Sequence, residues 1–245
     1  MIKELEVFTA ATSFQEDEMR GKTAVMIDVL RASSTIVTAL ANGARGVIPV
    51  ADMGAGSKIS QSMDTENFLL CGEKDGEKIE GYDLGNSPLE YTPRLINGKT
   101  IILNTTNGTK ALMRASLARH IVVASFLNLS GVVEYLKDKE RIILVCAGWR
   151  GRLSLEDLLC AGNIIYELTN GELPETAFDG AKVAFGLYEK FGDDIEKTVQ
   201  SSNHARRLQD IVGTEDLSYC SRLNVMDVLP VMKEGIITDF HGKEK

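Results

Sequence analysis

Seven strand-length segments of this chain are rich in apolar residues: 5–9, 24–29, 46–50, 68–71, 100–104, 120–124 and 141–146. Several are almost wholly apolar, which predicts strands covered on both faces. Between them the period changes. Residues 33–42, 56–63, 108–118 and 128–137 carry apolar side chains three and four apart, the spacing of a helix with one buried face. Alternating strands and helices predict an α/β fold, with three layers (α/β/α) around a mainly parallel or mixed central sheet. Right-handed crossovers would align the strand C-termini along one edge, where open α/β sheets bind ligands. The turns after Asp28, Cys71, Asn104 and Cys146 all follow strands and are therefore expected to meet in space.

From Ser154 onward the pattern is helical, over 154–169, 175–191, 194–200, 203–211 and 214–217. Two β-like runs follow, 228–232 and 236–239. There is no repeat, low-complexity tract or linker. Residues 1–245 thus read as one domain with a helix-rich C-terminal part from about 154. One stretch breaks the alternation. Residues 73–93 are polar and glycine-rich and include Gly81-Tyr-Asp-Leu-Gly-Asn-Ser-Pro88. A long loop inside a compact domain is uncommon and often functional.

Two strand-to-helix turns have a composition suited to anions. In Thr100-Ile-Ile-Leu-Asn-Thr-Thr-Asn-Gly-Thr-Lys110 an apolar run enters a turn of hydroxyls and amides and then a helix. Such a turn offers free N–H groups, hydroxyls and the positive end of a helix dipole. In Met26-Ile-Asp-Val-Leu-Arg-Ala-Ser-Ser-Thr35 an acid, an arginine and three hydroxyls occupy the same kind of turn. Asp28 would hold a metal or act as nucleophile, and Arg31 would grip phosphate with its planar fork. The plainer reading is an ordinary N-cap with an ion pair, and for Asn107-Gly108 an ordinary turn.

Composition narrows the partners. The chain is 44% hydrophobic, enough for a large core, and its net charge is −8. No Lys/Arg run marks a nucleic-acid face, and no apolar run approaches the ~20 residues of a membrane span. An acidic protein that holds an anion needs local arginines, helix N-termini or a bound cation. Carboxylates at strand ends and on loops, such as Glu73 and Asp83, are the usual Mg²⁺ ligands. The loop charges Lys74, Asp75, Glu77, Lys78 and Glu80 read as solvated. Four cysteines without a C-x-x-C pair read as free buried thiols in a reducing compartment, so the expected location is cytoplasmic. No His/Cys cluster points to zinc.

Cys146-Ala-Gly-Trp-Arg-Gly-Arg152 fits C-x5-R, the spacing of cysteine phosphatases, whose nucleophile is a low-pKa thiolate. Val145 stands where those enzymes usually have histidine, and the glycine spacing differs. The alternative is a rim of Gly148, Arg150, Gly151 and Arg152 that binds anions without covalent chemistry. Ser154 with Asp157 reads as a capping box, which leaves Glu156 free to face a site. His204, flanked by Arg206 and Arg207, would grip an acid group or belong to a solvated basic face. Haloacid-dehalogenase phosphatases need a second aspartate two positions after the first, and Leu30 stands there.

In their order along the chain, Ile27-Asp-Val-Leu-Arg-Ala-Ser-Ser-Thr35, Gly72-Glu73, Gly81–Pro88, Thr105-Thr-Asn-Gly-Thr109, Cys146-Ala-Gly148, Ser154-Leu-Glu-Asp157, Tyr219-Cys220 and Asp227 resemble the 2-phosphosulfolactate phosphatase family. The resemblance covers nearly the whole chain. It implies a Mg²⁺-dependent phosphatase that hydrolyses 2-phospho-3-sulfolactate to 3-sulfolactate and phosphate, in coenzyme M biosynthesis or sulfolactate metabolism. It also makes Asp28, Arg31, Glu73, Asp83, Asn86, Asn107, Thr109 and Glu156 the leading site residues. Ser34 stands where threonine is expected.

The expected site follows. Asp28, Arg31 and Glu73 would be catalytic, and Asp28, Glu73, Asp83 and Glu156 would supply the Mg²⁺ ligands. Ser33, Ser34, Thr35, Asn86, Thr106, Asn107, Gly108, Thr109, Arg150, Arg152 and His204 would bind the substrate. The attacking group is left open between an aspartate and a metal-bound water. Two competitors stand beside this reading: a metal-independent cysteine phosphatase using Cys146 and Arg152, and a non-catalytic sensor of phosphorylated or sulfonated small acids. Apolar helical faces after residue 154 would suit a homodimer or a core equally.

Overall fold

In the computed structural model, residues 2–61 and 63–241 are described. In chain order the elements are β1 (Glu4–Phe8), β2 (Thr23–Ile27), α1 (Ala32–Ala41), β3 (Gly46–Val50), α2 (Met53–Ser60), β4 (Phe68–Lys74), β5 (Glu77–Lys78), α3 (Pro93–Ile96), β6 (Thr100–Asn104), α4 (Gly108–Arg114), β7 (His120–Ala124), α5 (Leu129–Leu136) and β8 (Arg141–Cys146). The C-terminal part adds α6 (Leu155–Thr169), α7 (Asp179–Phe191), α8 (Ile195–Gln200), α9 (Asn203–Val212), α10 (Glu215–Cys220), β9 (Pro230–Lys233) and β10 (Ile236–Asp239).

All seven predicted strands form, and they join one mixed sheet in the order β1-β8-β2-β7-β9-β10-β3-β6-β4-β5. Its apolar runs serve two faces. In β2, Val25 and Ile27 enter one core with Leu144 of β8 and Leu159 of α6. The alternate residues Ala24 and Met26 enter a second core with Ile36 of α1 and Ile101 of β6. Period-2 alternation persists, but both faces are covered, so all five residues of β2 are buried. Helices α5, α6 and α7 pack on one face of the first strands, while α2 packs on β3, β4 and β6.

The two closing β-runs change the topology. They form an antiparallel hairpin inserted in the middle of the sheet, with β9 antiparallel to β7 and β10 antiparallel to β3. The strands β1, β8, β2 and β7 are mutually parallel, as are β3, β6 and β4, but the two blocks run in opposite senses across the hairpin. The single aligned edge expected from the sequence is therefore not how the strand ends meet. Each strand-to-strand step adds roughly 20–25° of twist, so the sheet coils strongly between β2 and β6. Helix α1 touches both β7 and β3, and α4 touches both β2 and β3. The two helices lie between the blocks, and their N-termini bring the ends of β2 and β6 together.

Helix boundaries differ where side chains cap the chain. The helix expected at 56–63 runs from Met53 to Ser60, because the Asp52 carboxylate accepts the Ala55 N–H at 2.8 Å; Ser62 of that expectation lies outside the described residues. The helix expected from 175 starts at Asp179, because the Phe178 N–H goes to the Leu5 carbonyl of edge strand β1 instead. Among the described residues, no helix is long and apolar enough to cross a membrane.

Candidate active site

The strand ends converge on an open cleft of about 620 Å³, its mouth included. Asp28, Leu30 and Arg31 enter it from the β2–α1 turn, and Glu73, Asp75 and Gly76 from the β4–β5 hairpin. Asn86 comes from the long loop, Thr106 and Asn107 from the β6–α4 turn, and Trp149 and Arg150 from the β8–α6 loop. His204, Arg207, Leu208 and Ile211 of α9 close the far wall.

Asp28 is 8% exposed, and its Oδ1 accepts the Ala32 N–H at 3.4 Å. Burial pushes its carboxyl up to about 6; His204 opposes that rise, while the charges of Glu73 and Glu156 add to it. Two other carboxylates thus act on Asp28. Glu73 is braced by donors: the Thr106 N–H at 2.6 Å and hydroxyl at 3.1 Å, and the Gly76 N–H at 2.7 Å. It locks the hairpin to the β6–α4 turn. Glu156 is wholly buried, with Oε1 2.7 Å from His204 Nδ1 and Oε2 without any hydrogen-bond partner among the described residues. Burial pushes the Glu156 carboxyl up, but its contacts with His204 outweigh this and hold it below its ordinary value. The His204 ring stacks on Trp149 at 5.4 Å between centroids and 17° between planes, and the Arg150 guanidinium lies over the same indole at 4.9 Å.

Arg31 is held rather than free. Its Nη1 donates to Asp216 Oδ2 at 2.6 Å and its Nη2 to the Gly76 carbonyl at 2.8 Å. The peptide bond before it, Leu30–Arg31, is cis. Asn86 faces the cleft with its Oδ1 buried and unpartnered among the described residues.

Several expected substrate contacts lie elsewhere. Ser33 Oγ accepts the Asp28 N–H at 2.9 Å, Ser34 donates to the Val29 carbonyl at 2.9 Å, and Thr35 donates to the Asn86 carbonyl at 2.8 Å. Thr109 donates to the Thr105 carbonyl at 2.9 Å. These hydroxyls hold backbone in place, and none of the four residues lines the cleft. Gly108 is likewise absent from the lining; it is the contact point between the turns, because a Cβ there would stand 2.6 Å from Ala32 Cβ and 2.7 Å from Asp28 Oδ2. Arg152 is exposed outside the cleft, its backbone paired with that of Trp149 in a tight turn. Asp83 also stands outside it; its carboxylate accepts the Leu70 N–H at 2.8 Å and shapes the loop.

Cys146 is buried in the main core and absent from the cleft, and burial pushes its thiol well above the ordinary range. A thiolate nucleophile needs the reverse on both counts, so the C-x5-R reading fails. The capping box is also only half formed. Ser154 does accept the Asp157 N–H, but the Asp157 carboxylate accepts the Val29 N–H at 2.8 Å and the Gly148 N–H at 3.1 Å. It ties the β2–α1 turn to the β8–α6 loop.

A family model of 2-phosphosulpholactate phosphatases matches residues 8–235. The chain belongs to that family. It is 47% identical over 215 residues to a probable 2-phosphosulfolactate phosphatase of Thermotoga petrophila, covering 88% of this chain and 91% of that one. Proteins of the same name are 38% identical in Caldanaerobacter subterraneus subsp. tengcongensis, over 95% of this chain and 97% of that one, and 40% identical in Clostridium perfringens, over 95% of each.

Of the residues that the family resemblance favoured, Asp28, Arg31, Glu73, Asn86 and Asn107 line the cleft. Glu156 reaches it through His204, and Asp83 and Thr109 support it from outside. Sequence reasoning missed Trp149, Arg207 and the buried pair Asp157 and Asp216. Trp149 lay inside the C-x5-R segment, but as a filler position; Arg207 looked like solvated charge; and both acids look like ordinary first-turn residues of helices.

Proposed function

We propose that this chain is a phosphoric monoester hydrolase that cleaves 2-phospho-3-sulfolactate to 3-sulfolactate and phosphate. The observation that carries this reading is the cleft itself. In a member of this family it gathers Asp28, Arg31, Asn86, Asn107, Arg150 and His204 from five separate segments. The substrate carries phosphate, sulfonate and carboxylate on three carbons. The cationic groups at the cleft, Arg31, Arg150 and Arg207, sit on different walls, which suits a ligand with charges pointing in different directions. Arg31 retains donors beyond the two already engaged, since a guanidinium has five, and Asn107 with the Thr106 turn adds polar groups beside Asp28. His204, oriented through Nδ1 by Glu156, presents its other ring nitrogen as a proton donor or acceptor.

The donor set also suits Mg²⁺, which takes oxygen ligands. Asp28 and Glu156 would hold it, with Glu73 adjacent: the Glu156 Oε2 is buried without a partner among the described residues, and the charges of Glu73 and Glu156 disfavour the charged form of Asp28. Among the described residues, no three such side chains are yet drawn into ligating geometry. When bound, the ion would neutralise phosphoryl oxygens and stabilise charge that develops on them. Free buried thiols at Cys71, Cys146, Cys160 and Cys220 favour a reducing compartment and hence the cytoplasm. Because the cleft draws on both strand blocks and on α9, the chain would act as one domain.

Phosphate release from 2-phospho-3-sulfolactate, measured with Mg²⁺ and again with excess EDTA, tests this. Release that EDTA abolishes and Mg²⁺ restores is the expected result. Release that persists in EDTA overturns the metal assignment, and no release in either condition overturns the substrate.

A further inference from the structure

Behind the cleft, outside its lining, lies Asp216 on α10, 3% exposed. Both of its oxygens are engaged. Oδ2 accepts Arg31 Nη1 at 2.6 Å, and Oδ1 accepts the Ser87 hydroxyl at 2.6 Å. Ser87 follows Asn86 directly, and the Asn86 carbonyl accepts from Thr35 of α1 at 2.8 Å. Arg31 and Asn86 face the cleft from different segments, and one buried carboxylate therefore anchors both.

We propose that Asp216 is a positioning residue that fixes the guanidinium plane of Arg31 and the placement of Asn86 for binding of the substrate's anionic groups. The inference rests on the phosphatase reading. An exposed Arg–Asp pair would carry little meaning, but these side chains are 3% and 4% exposed. A buried pair adds little net stability over an apolar pair of the same volume. What an apolar pair lacks is direction. With Nη1 pinned to Asp216 and Nη2 pinned to the Gly76 carbonyl, the planar guanidinium cannot swing about its Cδ–Nε bond. Its remaining N–H groups then point along fixed lines, as anion binding needs. Helix α10 supplies no cleft residue, so its contribution to the site is made through this carboxylate.

Asp216→Asn and Ser87→Ala would each be made in the wild-type and Arg31→Ala backgrounds. KM, kcat and competitive inhibition by inorganic phosphate are measured, with the melting temperature as a control. With Arg31 present, Asp216→Asn is expected to raise KM and the phosphate inhibition constant about tenfold, with a smaller rise for Ser87→Ala. In the Arg31→Ala background the Asp216→Asn effect should shrink to about that of Ser87→Ala, since the part carried through Arg31 is gone while the Ser87 contact remains. Added guanidinium ion should restore activity to Arg31→Ala but not to the double variant. Equal losses in both backgrounds, or no loss where Arg31 is present, overturn the proposal. If Asp216→Asn does not fold, Ser87→Ala decides: a raised KM at an unchanged melting temperature supports the anchor, and an unchanged KM overturns it. A wild type that releases no phosphate sinks the phosphatase reading instead. The variants are then compared by inorganic phosphate binding, read from the fluorescence of Trp149, the only tryptophan in the chain. There an unchanged affinity in Asp216→Asn, or no binding by the wild type, overturns the positioning role as well.

Discussion

The β2–α1 and β6–α4 turns look alike as sequence, each an apolar strand running into hydroxyls and then a helix. The structure gives them different work. In the first, all three hydroxyls serve the protein: Ser33 holds the Asp28 N–H, Ser34 the Val29 carbonyl and Thr35 the Asn86 carbonyl. A distant carboxylate, Asp157, adds a brace at the Val29 N–H. In the second, Thr105 and Thr109 bond each other, while Thr106 turns outward to Glu73. The first turn is a rigid mount for one acid, and the second is a polar surface held in place by a neighbouring strand. A hydroxyl-rich turn is thus not itself an anion cradle. Its hydroxyls here bond the protein itself, while the basic groups that border the cleft are Arg31, Arg150, Arg207 and His204.

The sharpest way to break this comparison is to remove the acid that the first turn mounts. Asp28→Asn is expected to lower kcat/KM by about 10²-fold or more, since the variant loses a carboxylate that would hold the metal or attack phosphorus. It should do the opposite to stability. The folded carboxyl, raised by burial to about 6, prefers its proton, whereas the unfolded one titrates near the usual value of 3.8. A raised carboxyl contributes stability that is complete below about pH 4 and lost as pH rises through about 6. In metal-free buffer at pH 7 the asparagine variant should therefore be more stable than wild type, by at most roughly 3 kcal/mol, and melt higher. Below about pH 4 the gap should close. Equal melting curves at pH 7 would mean that Asp28 carries no such penalty.

Next comes the point where the turns touch. Gly108→Ala would set a methyl 2.6 Å from Ala32 Cβ and 2.7 Å from Asp28 Oδ2. Overpacking of this kind costs about 1–3 kcal/mol, and a shift of Asp28 approaching 1 Å would cost about 10²-fold in rate. Activity that survives unchanged, measured beside the melting temperature, would show that the two turns move independently.

Much of this was legible in the chain. The strands were, because runs such as Thr100–Asn104 hold consecutive apolar residues, here Ile101, Ile102 and Leu103, over a strand's length. Asp28, Glu73 and Asn107 were, because they stand where strands end. What was hidden depends on pairing between distant segments. Nothing local in Pro230–Lys233 or Ile236–Asp239 says that they enter the middle of the sheet and reverse the second block. Asp157 and Asp216 sit in the first turns of helices, where acids are ordinary, yet their partners lie 128 and 185 residues away. Asp83 and Arg152 erred in the other direction. Each is a charge beside a motif, and each shapes or occupies a turn outside the cleft.

The smallest effect is also the most discriminating test of how the first turn works. Ser34 is fully buried, and its hydroxyl donates to the Val29 carbonyl at 2.9 Å. If that hydroxyl only supports the backbone, Ser34→Ala should cost about 1 kcal/mol of stability, with KM for the phosphate ester and inhibition by inorganic phosphate unchanged. If instead it reached the ligand, KM and the inhibition constant would rise together while the melting temperature barely moved. The two readings predict opposite patterns in the same pair of measurements, so one conservative substitution decides whether the turn holds its own backbone or binds the substrate.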